Sequence, residues 1–194
     1  MGLLVMILGL ILFFGVHTLT TQRDLRARFI ASMGEGGYKI FYSLASIAGL
    51  ALIAWGFADY RATGWIDVWN PPKAFRHITV ALMLPAVILV VASYIRGRIY
   101  TTLKHPMLAG VKLWAAAHLL ANGDLGSIIL FGSFLAWAVF DRISLKRRAD
   151  PGAPPIPVGG PGNDLIAIAV GVVAYLALAF AFHPVVIGVP VFGV

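Results

Sequence analysis

The sequence predicts an all-α fold, a polytopic integral membrane bundle of about six transmembrane helices. The 194 residues are 60% hydrophobic and 12% charged, and the mean hydropathy is +0.89. A soluble domain, by contrast, is about half apolar and about a quarter charged. Six apolar segments approach the length that a bilayer crossing requires: Gly2–Thr20, Tyr38–Ala58, Ala74–Tyr94, Pro106–Ala121, Leu125–Phe140 and Leu165–Phe182.

The basic residues between these segments predict how the chain is oriented. Eleven of the 15 Lys and Arg residues follow the first, third or fifth segment. Because Lys and Arg accumulate on the cytoplasmic side, both termini are expected on the periplasmic side of a bacterial inner membrane. Trp65 and Trp69 fit an aromatic belt on that outer face. The net charge of +7 therefore indicates orientation in a lipid bilayer and no nucleic-acid partner.

Turn and capping residues mark the ends of several segments. Gly34–Gly37 predicts a break before the second helix, and Asp124 can cap the fifth. Asp150–Gly162 is a linker rich in Pro and Gly, after which Asn163 or Asp164 can cap the sixth helix. The chain has no cysteine, which excludes disulfides, thiolate metal sites and a cysteine nucleophile.

The fourth segment carries two histidines that a helix separates into two sites. His105 and His118 lie thirteen positions apart, roughly 20 Å along a helix axis, so they cannot bind the same metal ion. Trp114 shares the His118 face, and Lys112 lies nearly in line with His105. Lys112 is too deep to reach the headgroups easily, so we expect it to be neutral or paired with a carboxylate such as Asp141.

The predicted topology sorts the five histidines by depth. His17 and His105 form an inner pair, and His77 and His118 form an outer pair. His183 is a third candidate for the outer group. Two imidazoles from different helices at one depth suit bis-imidazole ligation of a b-type haem. We therefore predict a haem b whose metal lies between His77 and His118.

Other residues near these pairs have secondary expected roles. Arg76 and Lys73 lie close to His77 in the sequence and could meet the haem propionates. For His17 and His105 we favour a structural or substrate-contacting role. A lone histidine in a membrane helix is more often a hydrogen-bonding residue between helices than a ligand.

The order of these motifs resembles the NnrU family of membrane proteins over most of the chain. This resemblance implies a single NnrU-like transmembrane domain over residues 1–194. It also implies an association with denitrification, so that subunits of respiratory or denitrification reductases become expected partners. The stretches that carry the resemblance are Gly15-Val16-His17, Arg76-His77, Lys104-His105-Pro106, Leu113-Trp114 and His118–Asp124.

The family is similar to the plant and cyanobacterial 15-cis-zeta-carotene isomerase, a membrane enzyme that uses haem b to isomerise a cis double bond of a carotenoid. The similarity implies that His118 is an axial haem ligand. The second ligand is then His77 by depth or His17 by chain order. The isomerase has a cysteine three residues before its last histidine, where this chain has Ala115, so no thiolate can exchange for an imidazole here.

Three functions are therefore expected. The first is a haem-dependent isomerase or redox protein that acts on a lipophilic polyene or quinone-like molecule from the membrane. The second is a non-enzymatic accessory protein of respiratory complexes. The third is a methyltransferase that uses S-adenosylmethionine, because His105, Pro106 and Gly110 also resemble the Arg-His-Pro motif of small membrane methyltransferases, with Lys104 replacing the arginine. No acidic pair near the C-terminus completes such a cofactor site.

Overall fold

Helices make up most of the part of the chain that the computed structural model describes, residues 1–148 and 156–192. Five of these helices are long and apolar enough to cross a membrane, and Pro106–Ala121 is a shorter apolar helix. The predicted all-α membrane bundle is thereby confirmed. The helices are α1 Gly2–Leu19, α2 Arg23–Thr63, α3 Lys73–Val91, α4 Arg98–Leu103, α5 Pro106–Ala121, α6 Leu125–Arg147 and α7 Pro161–Ala177, followed by a π-helix, the π segment, Leu178–Ile187.

Helices α1 and α2 form an antiparallel pair with closely spaced backbones. A Cβ atom on Gly9 would lie 2.7 Å from the backbone nitrogen of Ile53, and one on Gly49 would lie 2.9 Å from the backbone nitrogen of Phe13. Small residues allow such a close approach of two backbones. The resulting van der Waals contacts stabilise the pair of transmembrane helices. Helix α1 also packs against α6, α6 against α5, α5 against α3, and α3 against α7.

Alternate connections lie at the same end of the bundle, as the order of segments predicts. At one end, the α2–α3 loop pairs with the α5–α6 turn, where the N–H groups of Val68 and Trp69 donate to the Gly123 carbonyl at 2.9 and 3.1 Å. At the other end, the backbone N–H groups of Arg98 and Ile99 in α4 donate to the carboxylate at the start of α7, both at 2.9 Å. We call this second end, where α6 also finishes, the basic end.

The boundaries of α2 and α7 differ from those predicted. Gly34 alone leaves helical geometry (φ 76°, ψ 165°), because a glycine adopts positive φ without a Cβ penalty. The predicted break over Gly34–Gly37 is therefore a kink within one long helix. Helix α7 begins at Pro161, and Asp164 caps α4 instead, so the prediction that Asn163 or Asp164 caps the last helix is wrong.

Two other turn predictions have different outcomes. Asp124 caps α6, because its side chain accepts a hydrogen bond of 2.9 Å from the backbone N–H of Ser127. That prediction is confirmed. The linker predicted over residues 150–162 falls partly outside the described residues, which resume at residue 156.

Candidate functional site

A cavity of about 350 Å³ lies between α3, α5, α7 and the π segment. Its walls are mainly aliphatic and aromatic, and none of the lining residues is Asp, Glu, Lys or Arg. The polar lining side chains include Thr79, Tyr175, His118 and His183. We call it the imidazole cavity. A space of this composition suits an uncharged, apolar molecule or a flat apolar ring system.

The position of His118 is fixed by two contacts. Its Nδ1 lies 2.9 Å from the Trp114 carbonyl oxygen. Because a carbonyl oxygen only accepts, Nδ1 carries the proton and Nε2 keeps its lone pair, which is the form that binds a metal. The imidazole ring also stacks on Phe131, with centroids 4.5 Å apart and planes at 26°. Trp114 lines the same cavity.

The π segment places His183 opposite His118. The two ring centroids are 6.2 Å apart, and the ring planes make an angle of 31°. The Nδ1 atom of His183 is buried and has no hydrogen-bond partner within the described residues. Pro184 follows directly and has no N–H for a regular helix, and π-helical turns are frequent at functional sites.

The predicted partner of His118 lies elsewhere. His77 and Arg76 are exposed on α3, and neither lines the imidazole cavity. Thr79 is the residue of α3 that faces α5, since its hydroxyl donates to the Ala117 carbonyl at 2.7 Å. His77 lies two positions before Thr79, which is about 200° around the helix axis, so its side chain points away from α5. The structure therefore brings His118 to His183 and leaves His77 outside.

A second cavity, of about 530 Å³, lies at the basic end between α1, α4, α5 and α6. It brings together the predicted inner pair, His17 and His105. Arg96, Lys104 and Asp141 line it as well. We call it the basic cavity. Its charged lining separates it chemically from the imidazole cavity.

His17 is held by an aromatic cluster. Its Nδ1 lies 2.7 Å from the Phe13 carbonyl oxygen, so Nδ1 is the protonated nitrogen. The ring stacks on Phe13 at 4.0 Å and lies 5.1 Å from the Tyr42 ring and 5.4 Å from that of Trp137. These contacts leave Nε2 of His17 as a hydrogen-bond acceptor.

The carboxylate of this cavity has its own cation. Asp141 forms an ion pair of 3.1 Å with Arg148, and the two side chains are only 13% and 11% exposed. Arg148 also donates to the Ser144 hydroxyl at 2.7 Å. Lys112 was expected to be neutral or paired with a carboxylate such as Asp141, and the structure pairs Asp141 with Arg148 instead. Lys112 lines neither cavity.

Comparison with known families identifies the chain. The family model described as NnrU protein matches residues 5–191. The chain belongs to the NnrU family. No curated protein and no solved structure matches it. The matched residues of this NnrU chain include all five histidines and every residue that lines the two cavities.

Two groups that shape these cavities have only weak signals in the amino-acid sequence. His183 was only a third candidate for the outer group, and the following Pro184 is the signal that the helix becomes irregular there. Phe131, which stacks on His118, belongs to an apolar run of α6 in which no pattern distinguishes it from its neighbours.

Proposed function

We propose that this NnrU protein binds one haem b in the imidazole cavity, with His118 and His183 as axial ligands. The distance of 6.2 Å between their ring centroids carries the proposal. Metal–imidazole bonds of about 2.0 Å on opposite sides of one ion, with half of each ring added, place the centroids about 6 Å apart. A direct hydrogen bond between the two rings would place the centroids at about 5 Å.

A metal held by His118 and His183 would need further ligands from a macrocycle. Across residues 1–148 and 156–192, no group of three or more His, Asp and Glu side chains could hold a metal ion. A metal site made only of protein ligands needs three or four donors. Two imidazoles suffice when a porphyrin supplies the other ligands.

The surroundings of the two histidines fit the same group. The apolar lining suits the faces of a porphyrin, and His118, whose Nε2 keeps its lone pair, lines the same cavity as His183. His118 is anchored by the Trp114 carbonyl and by Phe131, whereas His183 stands on the irregular π segment. We therefore expect His183 to be the more easily displaced of the two proposed ligands.

We propose cis–trans isomerisation of a lipophilic polyene as the reaction. This reaction needs no cosubstrate and no net proton transfer, which agrees with a cavity that no Asp, Glu, Lys or Arg lines. Bound haem would supply a metal centre that can lend electron density to the double bond. The apolar side chains of Leu178 and Phe182 line the cavity and are also exposed at the bundle surface, so a substrate can enter from lipid.

Absorption spectra of the protein purified from haem-replete cells test the haem proposal. The oxidised and the dithionite-reduced protein should both show a Soret band and the narrow visible bands of a low-spin haem. His118→Ala should abolish the haem bands, and His183→Ala should leave a high-spin spectrum. A colourless, folded wild-type protein would contradict the proposal.

Two control variants separate this ligand pair from those predicted by sequence. His77→Ala removes the residue suggested by depth, and His17→Ala removes the residue suggested by chain order. Both should retain the wild-type spectrum. A high-spin spectrum in either variant, with His183→Ala unchanged, would assign the second ligand to that residue instead.

The family offers a second function for the same haem site, as an accessory protein of denitrification complexes. The two functions predict different results with the haem-loaded protein. An isomerase converts a cis-polyene in detergent without any other protein. An accessory protein leaves the polyene unchanged and co-purifies with a reductase subunit.

A further inference from the structure

The basic cavity has an excess of positive charge that no part of the proposed haem site uses. Arg96 and Lys104 line it, and neither forms an ion pair within residues 1–148 and 156–192. The acidic lining residue Asp141 is already neutralised by Arg148 at 3.1 Å. A ligand that completes this cavity therefore brings negative charge.

Arg96 is held in place for such a ligand. Its Nε donates to the Ser93 carbonyl at 3.2 Å, and its Nη1 donates to the Ile156 carbonyl at 3.0 Å. The guanidinium also lies over the Tyr100 ring, 4.2 Å from the centroid. These neutral partners fix the side chain and leave its charge uncompensated.

The backbone at Lys104 is strained. Lys104 has φ 62° and ψ −36°, and it is the non-glycine residue with positive φ in the described chain. The N–H of His105 donates to the Leu103 carbonyl at 2.7 Å, which closes a γ-turn around Lys104. This type of γ-turn is rare and unfavourable for residues with a Cβ. The turn brings Lys104 to the mouth of the basic cavity, next to His105.

The deeper lining is aromatic and apolar. Trp137 lines the cavity, and its indole Nε1 is buried without a hydrogen-bond partner in the described residues. An indole N–H only donates, so it needs an acceptor. Phe13, Phe134 and Val111 form the apolar depth, and Val111 lines the imidazole cavity as well.

We propose that the basic cavity binds an amphipathic anion, a carboxylate or phosphate head group on an apolar chain. Arg96 and Lys104 hold the head group at the mouth. The apolar chain extends past Trp137 toward Val111. The volume of about 530 Å³ lies within the range of roughly 300–1,000 Å³ that ligand sites occupy. This site is separate from the haem site and does not depend on it.

Quenching of tryptophan fluorescence by dibromostearate tests the proposal in the full-length protein in zwitterionic nanodiscs. A bromine on the chain quenches a nearby indole, and Trp137→Phe identifies the part of the signal that comes from this cavity. Lys104→Gln and Arg96→Gln should each weaken dibromostearate binding about tenfold, because each removes a charge-assisted contact. Lys146→Gln is the matched control, since this exposed lysine of the basic end does not line the cavity, and its binding should be unchanged.

Lys104→Gly separates charge from folding, because glycine adopts the turn without strain. This variant should fold at least as well as wild type and still lose the affinity. Dibromostearyl alcohol, which has the same chain without a charge, should quench Trp137 at least tenfold less tightly. Equal affinity for acid and alcohol, or equal binding by wild type and Lys104→Gly, would overturn the proposal.

Two competitors distinguish an amphiphile from a small ligand. Lysophosphatidic acid should displace dibromostearate, because its phosphate and its chain fit the same site. Inorganic phosphate at the same concentration should not displace it, since it lacks the chain. Displacement by inorganic phosphate or by S-adenosylmethionine at equal concentration would overturn the assignment to an amphiphile.

Discussion

The two cavities of this NnrU protein share the helix α5 but have opposite chemistry. The imidazole cavity contains His118 and His183 in an apolar lining without Asp, Glu, Lys or Arg. The basic cavity contains His17 and His105 together with Arg96, Lys104 and Asp141. A histidine pair in an uncharged space suits ligation of a metal in a macrocycle, whereas a histidine pair among cations suits an anion.

The difference follows from where each cavity lies along α5. The strained turn at Lys104 lies directly before α5, and Arg96 from the connection after α3 and Asp141 from α6 line the same cavity. Near its end, α5 packs against α3, where Thr79 donates to the Ala117 carbonyl. Charges are tolerated close to the headgroups and costly at depth. We therefore expect that a substitution in the lining of one cavity can abolish ligand binding there and leave binding in the other cavity unchanged.

A charge placed in the imidazole cavity should have the largest effect. Val87 lines it on α3, and Val87→Asp would bury a carboxylate at a cost of about 3 kcal/mol or more. The variant should lose the Soret band and keep dibromostearate quenching of Trp137. Val87→Leu is the control and should keep both. Retention of the full Soret band in folded Val87→Asp would show that the haem lies elsewhere.

Substitution of Gly110 should destabilise the packing of α5 against α3, on which both cavities depend. A Cβ on Gly110 would lie 2.8 Å from the Ala86 carbonyl oxygen, so Gly110→Val forces α5 away from α3. Overpacking of this kind costs about 1–3 kcal/mol, measured as a lower midpoint of thermal unfolding. Gly132→Ala is the control, because no atom lies within 4 Å of its added Cβ. An unchanged midpoint for Gly110→Val would contradict this close packing.

Hydropathy and charge were sufficient to predict most of the fold. Five of the six apolar segments lie in helices long and apolar enough to cross a membrane, and the remaining segment forms the shorter apolar helix α5. Asp124 caps α6, as its position after Asn122 and Gly123 indicated. His17 and His105, which were predicted to share an inner depth, line one cavity. These features depend only on where a residue lies along the chain, and the pattern of apolar and polar residues indicates that directly.

The partner of His118 depends instead on helix rotation and on irregular geometry. Depth alone placed His77 level with His118, but the packing of Thr79 against α5 turns His77 outward. His183 reaches His118 from a π segment, in which i→i+5 bonding rotates side chains relative to an α-helix. Neither effect can be read from residue spacing.

Neutralisation of Asp141 should change the basic cavity alone. Asp141→Asn leaves Arg148 without its ion pair of 3.1 Å, so the cavity becomes more positive. Dibromostearate should bind a few-fold more tightly, and the unfolding free energy should fall by about 1–3 kcal/mol. The haem spectrum should not change.

The control for this variant is Glu35→Gln, which removes the carboxylate of an exposed ion pair with Lys39, with side chains 66% and 68% exposed. Its effect on binding and stability should be close to zero. Weaker dibromostearate binding by Asp141→Asn would indicate that this carboxylate positions the head group instead of opposing it.

The smallest expected effect is a pH dependence from His105 at the basic end. Burial lowers the pKa of His105 below its ordinary value, and nearby Arg142 lowers it further, while Asp141 opposes them. The unfolded chain therefore takes up this proton at a higher pH than the folded protein does. Folding stability from this group is present above the ordinary histidine pKa of about 6.5 and is lost as the pH falls below it.

His105→Asn tests this dependence because asparagine is a good N-cap residue and His105 is the N-cap of α5. The thermal midpoint of wild type, relative to that of the variant, should decrease between pH 7.5 and pH 5.5 (an interval of about one unit on each side of the ordinary pKa). The two proteins differ only at position 105, so contributions from the rest of the chain cancel in this difference. A constant difference across the interval would show that the surroundings of His105 do not favour its neutral form. In that case the anion site would rest on Arg96 and Lys104 without a contribution from His105.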